Sequence, residues 1–253
     1  MEEVVDGPVP GHPEIYRVVA DNPGPMTLTG TNTWVYGSDP CWVIDPGPDD
    51  PEHLAAVGAV VEARGGAAGA LLTHSHNDHS GGCERLGIEM FEAGDGRRFG
   101  GPDGDGPGGL TAVATPGHAV DHFCFFTEDG VCFSGDLILG WGSTYVPPDG
   151  GSLAAYMDSL RRVGELGPRL ICPGHGPLVT DPPAKIAEYL EHRESRERDL
   201  VAALDEGERS RMALLERVWS DVPDQLRPAA AVVLEAHLQK LGAERRLPPD
   251  LGE

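Results

Sequence analysis

The stretch THSHNDHSGG, residues 73–82, places three histidines and one aspartate within six positions. Ten histidines in 253 residues is only a modest excess, so it is the clustering that constrains the chain. The run follows the apolar residues Ala70, Leu71 and Leu72. His74 and His76 alternate, so at the end of an extended strand they point to the same side. Asp78 and His79 follow after a turn, and Ser80-Gly81-Gly82 can open a helix. One strand-to-helix loop of this kind presents four ligand-grade side chains to a concave site.

Three further candidates close apolar, strand-like runs: His118 in ATPGH, Asp136 in VCFSGD and His175 in LICPGHGP. Pro-Gly before His118 and His175 could mark plain turns, and Asp136 could simply cap a loop. Four strand ends that all finish on ligand-type residues point instead to one shared site. Seven nitrogen and oxygen donors fit two zinc ions bridged by a carboxylate and a water, each near-tetrahedral or five-coordinate.

The rest of the chain frames that site. Runs EIYRVVA, NTWVYG, CWVID, GALLTH, LTAVAT, HFCFFT and VCFSGD read as strands bounded by Gly, Pro and Asp. Helices are expected at 51–64, with Pro51 in the first turn, at 152–166, with Ser152 as N-cap, and at 183–206. Residues 94–109 are too rich in glycine for regular structure and read as an exposed loop. Their D-x-D-G spacing at 103–106 lacks the rest of a calcium-loop pattern. Mixed strands and helices with two helix layers predict an α/β sandwich. Beyond residue 182, AKIAEYLEHRESRERDLVAAL is a charged amphipathic helix, and RMALLERVWSDVP and LRPAAAVVLEAHLQKLGAERRL add two more, ending in a short wing. The expected division is therefore a sandwich domain over 1–182 and a small helical, winged-helix-like segment over 183–253. Such a unit serves as often in dimerisation or at a substrate edge as in reading DNA, so a homodimer is among the expected assemblies.

Charge limits the partners. The net charge is −22, with 26 acids against 8 bases over 1–182 and 15 against 11 over 183–253. An acidic body of this kind repels phosphate backbones and argues against a general nucleic-acid binder. The acidic N-terminus MEEVVDGPVPGH lacks the basic and apolar regions of a signal peptide, and no apolar run is long enough to span a membrane. Five scattered cysteines without a C-x-x-C pair read as reduced thiols in a cytoplasmic protein.

THSHNDH matches the H-x-H-x-D-H signature of the metallo-β-lactamase superfamily. VIDPG at 43–47, TPGH at 115–118, FSGD at 133–136 and PGHG at 173–176 look like its remaining strand-end motifs, in order, across residues 15–180. The resemblance implies an αβ/βα sandwich with the metals at one sheet edge. It implies that His74, His76 and His118 hold one zinc, that Asp78, His79 and His175 hold the other, and that Asp136 bridges them. Some relatives hold iron or manganese. A narrower resemblance rests on NPGPMTLTGTNTWVYG (22–37), TPGHAVDH (115–122), FSGDLILG (133–140) and the C-terminal helices. These look like the lactamase-beta-2-like branch, which appends a winged-helix-like segment and includes a single-strand endoribonuclease and fungal thioesterases.

The chemistry so implied is hydrolysis by a metal-bridging hydroxide, whose parent water has its pKa lowered toward about 7. Asp78 is expected to orient it as well as to bind metal, and His122, four residues after His118, to donate a proton. Asp45, ending CWVID, is a candidate acceptor for a ligand imidazole N–H. Asn32 and Thr33 are expected to line the cleft. The leading expectation is cleavage of an ester, thioester or amide in a small or carrier-bound substrate. The alternatives are single-stranded RNA as substrate, using Arg193, Arg196, Arg198, Arg209, Arg211 and Arg217 as a basic track, and a non-catalytic metal-binding regulator. Most of those arginines have acidic neighbours in sequence, and all seven ligand positions are filled, so both alternatives rank lower. His12, His53, His192 and His237 fall outside the motifs and receive no role.

Overall fold

A computed structural model describes residues 4–100 and 109–251. The first sheet holds β1 (Gly7–Val9), β2 (His12–Val19), β3 (Asn32–Gly37), β4 (Cys41–Ile44) and β5 (Ala67–Leu71) in that spatial order. The second holds β6 (Arg98–Phe99), β7 (Leu110–Ala114), β8 (Phe123–Thr127), β9 (Val131–Gly135) and β10 (Leu170–Pro173), again side by side in chain order. Both are antiparallel except at one end, where β4 pairs with β5 and β9 with β10 in parallel. Parallel neighbours need a crossover. These are supplied by α1 (Pro51–Ala63) and α4 (Leu153–Leu166), while the short α2 (Asn77–Ser80) and α3 (Cys83–Leu86) follow β5.

The period of two along each strand separates the layers. Trp34, Trp42, Ile44 and Leu71 of the first sheet meet Leu110, Ala112, Phe125 and Phe133 of the second in one buried cluster. Their alternates, Val35 and Val43, pack outward under Val57 and Val61 of α1. On the opposite outer face Cys124, Phe126 and Cys132 pack under Tyr156, Leu160 and Val163 of α4. The result is an αβ/βα sandwich. Asp50 caps α1 by accepting from the N–H groups of Glu52 and His53, and Ser152 caps α4 by accepting from Ala155.

The C-terminal segment comprises α5 (Pro182–Asp205), α6 (Arg211–Val218) and α7 (Arg227–Ala243). Helix α5 belongs to two cores: Ile186 and Tyr189 pack with the sandwich, whereas Leu200 and Leu204 pack with Leu214, Trp219, Leu234 and Leu238. The expected terminal wing is absent from the described residues, which show turns after α7 rather than paired strands. Pro248 and Pro249 carry no N–H for a ladder, and Leu247 and Leu251 fold back onto the helical core instead. The glycine-rich stretch also departs from expectation, because Arg98 and Phe99 form an edge strand and Phe99 is buried among the sheet aromatics. The D-x-D-G spacing at 103–106 lies outside the described residues. All five cysteines are free thiols, four of them buried. Among the described residues no helix is long and apolar enough to cross a membrane.

Candidate metal centre

The ends of β4, β5, β9 and β10 reach the same edge of the sandwich, together with the turn between β7 and β8. Asp45, just past β4, has a left-handed backbone (φ +53°), a conformation that costs a non-glycine residue about 1 kcal/mol or more. The side-chain bonds it makes there offset that cost. Its Oδ1 accepts from the Thr73 amide at 2.7 Å, and its Oδ2 accepts from the Thr73 hydroxyl at 2.8 Å and from His79 Nδ1–H at 2.9 Å. Asp45 therefore stands where the sequence expects an imidazole acceptor, and it also fixes the backbone entering the histidine loop.

That loop folds tightly. His76 precedes α2, and its carbonyl accepts from the amides of His79 and Ser80 at 2.9 Å. His74 and His76 stay on one side, with His74 Nε2 and His76 Nδ1 3.0 Å apart, and His118 Nε2 lies 3.0 Å from the same His76 nitrogen. The donor atoms of these three residues fall within 4.8 Å of one another, and so do those of Asp78, His79 and His175. Asp136 stands between the two trios. Its Oδ1 lies 3.4 Å from both His79 Nε2 and His175 Nε2, and its Oδ2 lies 3.6 Å from His118 Nε2. All seven expected ligands are thus brought together, with one carboxylate oxygen turned to each side.

The outward nitrogens are held by the protein. Thr73 gives its hydroxyl proton to Asp45, so it accepts from His74 Nδ1–H at 3.0 Å. His118 Nδ1–H donates to the Tyr145 carbonyl at 2.6 Å, and His175 Nδ1–H to the Gly30 carbonyl at 3.2 Å. With Nδ1 so committed, each inward Nε2 bears the lone pair of the neutral ring. His79 Nε2, His175 Nε2 and Asp136 Oδ1 are buried without any hydrogen-bond partner, a costly arrangement unless a cation takes them. Donors around an ion at 2.0–2.1 Å are separated by about 3.3 Å when tetrahedral, close to the spacings found here. The residues present fit a pair of divalent ions.

Electrostatics agree with that fit. Burial pulls His175 down, but Asp136 and Asp78 outweigh it and lift the ring to about 9. Burial works against ionised Asp136 as well, yet His175 and His79 hold its carboxyl well below the usual range. His79 is likewise raised, by Asp136 and Asp45 against burial. His74 is lowered by burial and by its neighbour His79. The centre draws positive charge, and bound metal would compete there with protons.

Three expectations need correction. His122 is 1% exposed, with Nε2 accepting from the Asp136 amide at 3.2 Å and Nδ1–H therefore donating to Thr115 Oγ1 at 2.8 Å. Burial drops it to about 3. Both nitrogens are committed and neither reaches the cleft, so the proton-donor assignment gives way to a supporting position behind Asp136. Asn32 is fully buried and donates to the carbonyls of Pro173 and Gly176, holding the turn that carries His175. Thr33 is buried against His53 Nε2 at 2.8 Å. Neither lines the cleft.

The cleft itself is a cavity of about 480 Å³ that meets the metal centre at His76, Asp78, His118 and Asp136. Its other walls are mostly apolar: Met26 and Leu28 from the loop before β3, Trp141 from the loop after β9, and Trp219, Ala230 and Val233 from the C-terminal helices. His192 and Arg193 line it too. The sequence reading missed this wall. The one local signal was the Ala-Ala-Ala-Val-Val-Leu run opening α7, apolar around more of the helix than a one-sided core contact needs.

Comparison with known proteins follows the same lines. Residues 90–175 match the model of the metallo-beta-lactamase superfamily, and residues 210–247 match a beta-lactamase associated winged helix domain. The chain is 34% identical to lactamase-like protein adaB of Aspergillus niger, covering 92% of this chain and 81% of that protein. It is 32% identical to a beta-lactamase-like protein 2 homolog of Drosophila melanogaster, over 92% and 89%. It is 34% identical to an atrochrysone carboxyl ACP thioesterase of Aspergillus chevalieri, over 93% and 83%. Among solved structures, a beta-lactamase domain protein from Burkholderia ambifaria superposes with a TM-score of 0.79 at 19% identity, over 97% of this chain and 92% of that one.

Proposed function

The chain belongs to the metallo-β-lactamase superfamily, in the branch of the lactamase-like and beta-lactamase-like protein 2 proteins, and is a metal-dependent hydrolase; from that premise we propose that it cleaves an ester or thioester bearing an apolar acyl group. The observation that carries this reading is the cavity of about 480 Å³. It offers apolar walls to the body of a substrate and the metal ligands to its carbonyl. The thioesterase relative from Aspergillus chevalieri supports the acyl class.

His74, His76 and His118 would hold one ion and Asp78, His79 and His175 the other, with Asp136 between them. Imidazole and carboxylate donors without sulfur suit zinc. Bound metal ions supply a water acidified toward pKa about 7 and a Lewis acid for the carbonyl. The chain does the rest. Asp45, Thr73, Tyr145 and Gly30 fix the tautomers of four imidazoles, so each neutral ring turns its lone pair inward, and an ion taking His79 or His175 would displace a proton. Asp78 both faces His175, at 3.2 Å, and borders the cavity, so it is placed to orient a nucleophile. Trp141, Trp219 and Val233 exclude solvent from the acyl body. The free thiols suit a reducing, cytoplasmic compartment.

Single-stranded RNA fits less well. Of the six arginines that could form a phosphate track, five are paired with carboxylates: Arg196 with Asp221, Arg198 with Glu191, Arg209 with Asp250, Arg211 with Glu235 and Arg217 with Glu206, at 2.6–2.8 Å. The test is turnover of zinc-reconstituted protein on acyl thioesters of increasing chain length and on labelled single-stranded RNA. Acyl cleavage that improves with chain length and is lost in His76→Ala is expected. Metal-dependent RNA cleavage without acyl turnover would reverse the assignment.

A further inference from the structure

The segment from Asp136 to Val146 follows β9 and contains no helix or strand, yet it touches both sides of the metal centre. Asp136 opens it. The Gly140 amide donates to the His175 carbonyl at 2.9 Å, and the Tyr145 carbonyl accepts from His118 Nδ1–H at 2.6 Å. An irregular segment has no ladder of its own, so other groups must hold its backbone. Side chains from outside it do so, three of them from helices α4 and α5. Tyr156 of α4 donates its hydroxyl to the Leu137 carbonyl at 2.8 Å, and Tyr189 of α5 accepts from the Leu139 amide at 3.1 Å. Arg193 of α5 donates through Nη2 to the Thr144 carbonyl and to Ser143 Oγ. Tyr145 itself packs against the apolar core of the C-terminal helices.

Arg193 is the unusual member of this set. It is 2% exposed, and no ion pair joins it to a carboxylate among the described residues. A buried guanidinium without an acid partner is costly. Its bond to Thr144, the residue before Tyr145, locates what that cost supports. We propose that Arg193 is a positioning residue for the metal ligand His118, acting through the Thr144–Tyr145 backbone, so that the C-terminal helices set the geometry of one metal site. Outer partners of ligand histidines fix ring orientation and basicity, and their loss typically lowers metal affinity by about 10–100-fold. The inference rests on the two-ion reading above, and it assigns to the C-terminal segment a second role beyond walling the cavity.

The test measures stepwise zinc affinities by chelator competition, the visible spectrum of the cobalt-substituted protein, and solvent exchange of the histidine ring N–H protons by nitrogen-15 NMR. In Arg193→Gln, affinity at the site of His74, His76 and His118 should fall about 10-fold, the cobalt bands should shift, and the His118 Nδ1–H should exchange faster. The site of Asp78, His79 and His175 should change less than twofold. Arg193→Lys, which keeps charge and one donor, should recover part of the loss and provides the measurement if the glutamine variant does not fold. Leu241→Ala, a truncation in the same C-terminal core, should lower thermal stability without these site-selective changes. Wild-type affinities and spectrum in Arg193→Gln, or equal losses at both sites in Arg193→Gln and Leu241→Ala, would overturn the proposal alone. Wild-type protein that binds no metal would overturn the premise along with it.

Discussion

Two groups of histidines, buried or half-buried, have surroundings that differ sharply. At the sandwich edge, His74, His79, His118 and His175 each give one ring N–H to a named acceptor and turn the other nitrogen inward. In the C-terminal segment, His237 is fully buried with neither nitrogen bonded, beside Trp219 at 5.7 Å, and His192 leaves its Nδ1 unpaired. Carboxylates stand among the first group, and the cations Arg193, Lys240 and Arg196 surround His237. Burial alone therefore does not mark a histidine as a ligand. What marks it is a partner on the outer nitrogen and an uncommitted, convergent lone pair on the inner one. The first group is built to receive positive charge and the second to refuse it.

The strongest way to break this contrast is to remove the expected ligand that stands at the rim of the first group, His76. His76→Ala should lower kcat/KM by about 10³-fold or more, since stabilisation of the developing oxyanion is lost with the metal. His76 is exposed at the rim of the site, so the fold should survive. Circular dichroism and elemental analysis would separate loss of metal from loss of structure, and near-normal turnover with both metals bound would remove His76 from the centre.

Next in size is a change that leaves every ligand in place. Asp45→Asn retains the shape of Asp45 but removes the charge facing His79. Zinc affinity should drop about 10–100-fold at the site containing His79, with little change at the site containing His76, as read by chelator competition. Equal affinities at both sites would show that Asp45 only shapes the turn.

Much of this was legible in the sequence, because ligands of this kind sit at strand ends. The apolar runs announce the strands, so the residue after each run declares itself. Asp45 was legible for the same reason. His122 was not: its spacing from His118 suggested a shared site, but Thr115 pairs with it across the turn, Thr115 N–H to the His122 carbonyl at 2.9 Å, and this draws the ring inward behind Asp136. Asn32 and Thr33 misled in a similar way, as a polar pair opening a strand whose residues are buried on both faces. The cavity wall was hidden by distance along the chain. Met26 and Val233 border one space, and no local period reports such a meeting.

A third prediction concerns acid. His237 is held down to about 3 and His192 to about 4, both first by burial, against about 6.5 for an unfolded histidine. Below pH 6.5 the unfolded chain binds protons that the folded one refuses, so stability falls as pH falls, down to the folded values. His237, fully buried, should contribute a loss of about 1–2 kcal/mol between pH 6.5 and 5. Compared with a His237→Leu variant, which lacks this group, hydrogen exchange at pH 5 should show the loss first in α6 and α7 and less in β3, β4 and β8, where His122, also held down to about 3 by burial, acts alike in both proteins. Uniform loss across both regions would mean that they unfold as one unit.

The smallest effect should come from taking the second group's polarity away. Two unbonded ring nitrogens in His237 incur a desolvation cost of about 1 kcal/mol or more, and no side chain depends on them for a hydrogen bond. Replacing both polar atoms by an apolar group of similar volume is commonly neutral or stabilising. His237→Leu should therefore leave metal content and kcat unchanged and alter stability at pH 7 by less than about 1 kcal/mol, in the stabilising direction. It should also flatten the acid limb, because the group that the unfolded state protonates is gone. A chemical denaturation series at pH 7 and pH 5 reads both effects. If His237→Leu instead loses about 2 kcal/mol or more at pH 7, the imidazole has polar partners of its own, and the contrast between His237 and the first group narrows to the carboxylates that stand within 4 Å of the first group's rings.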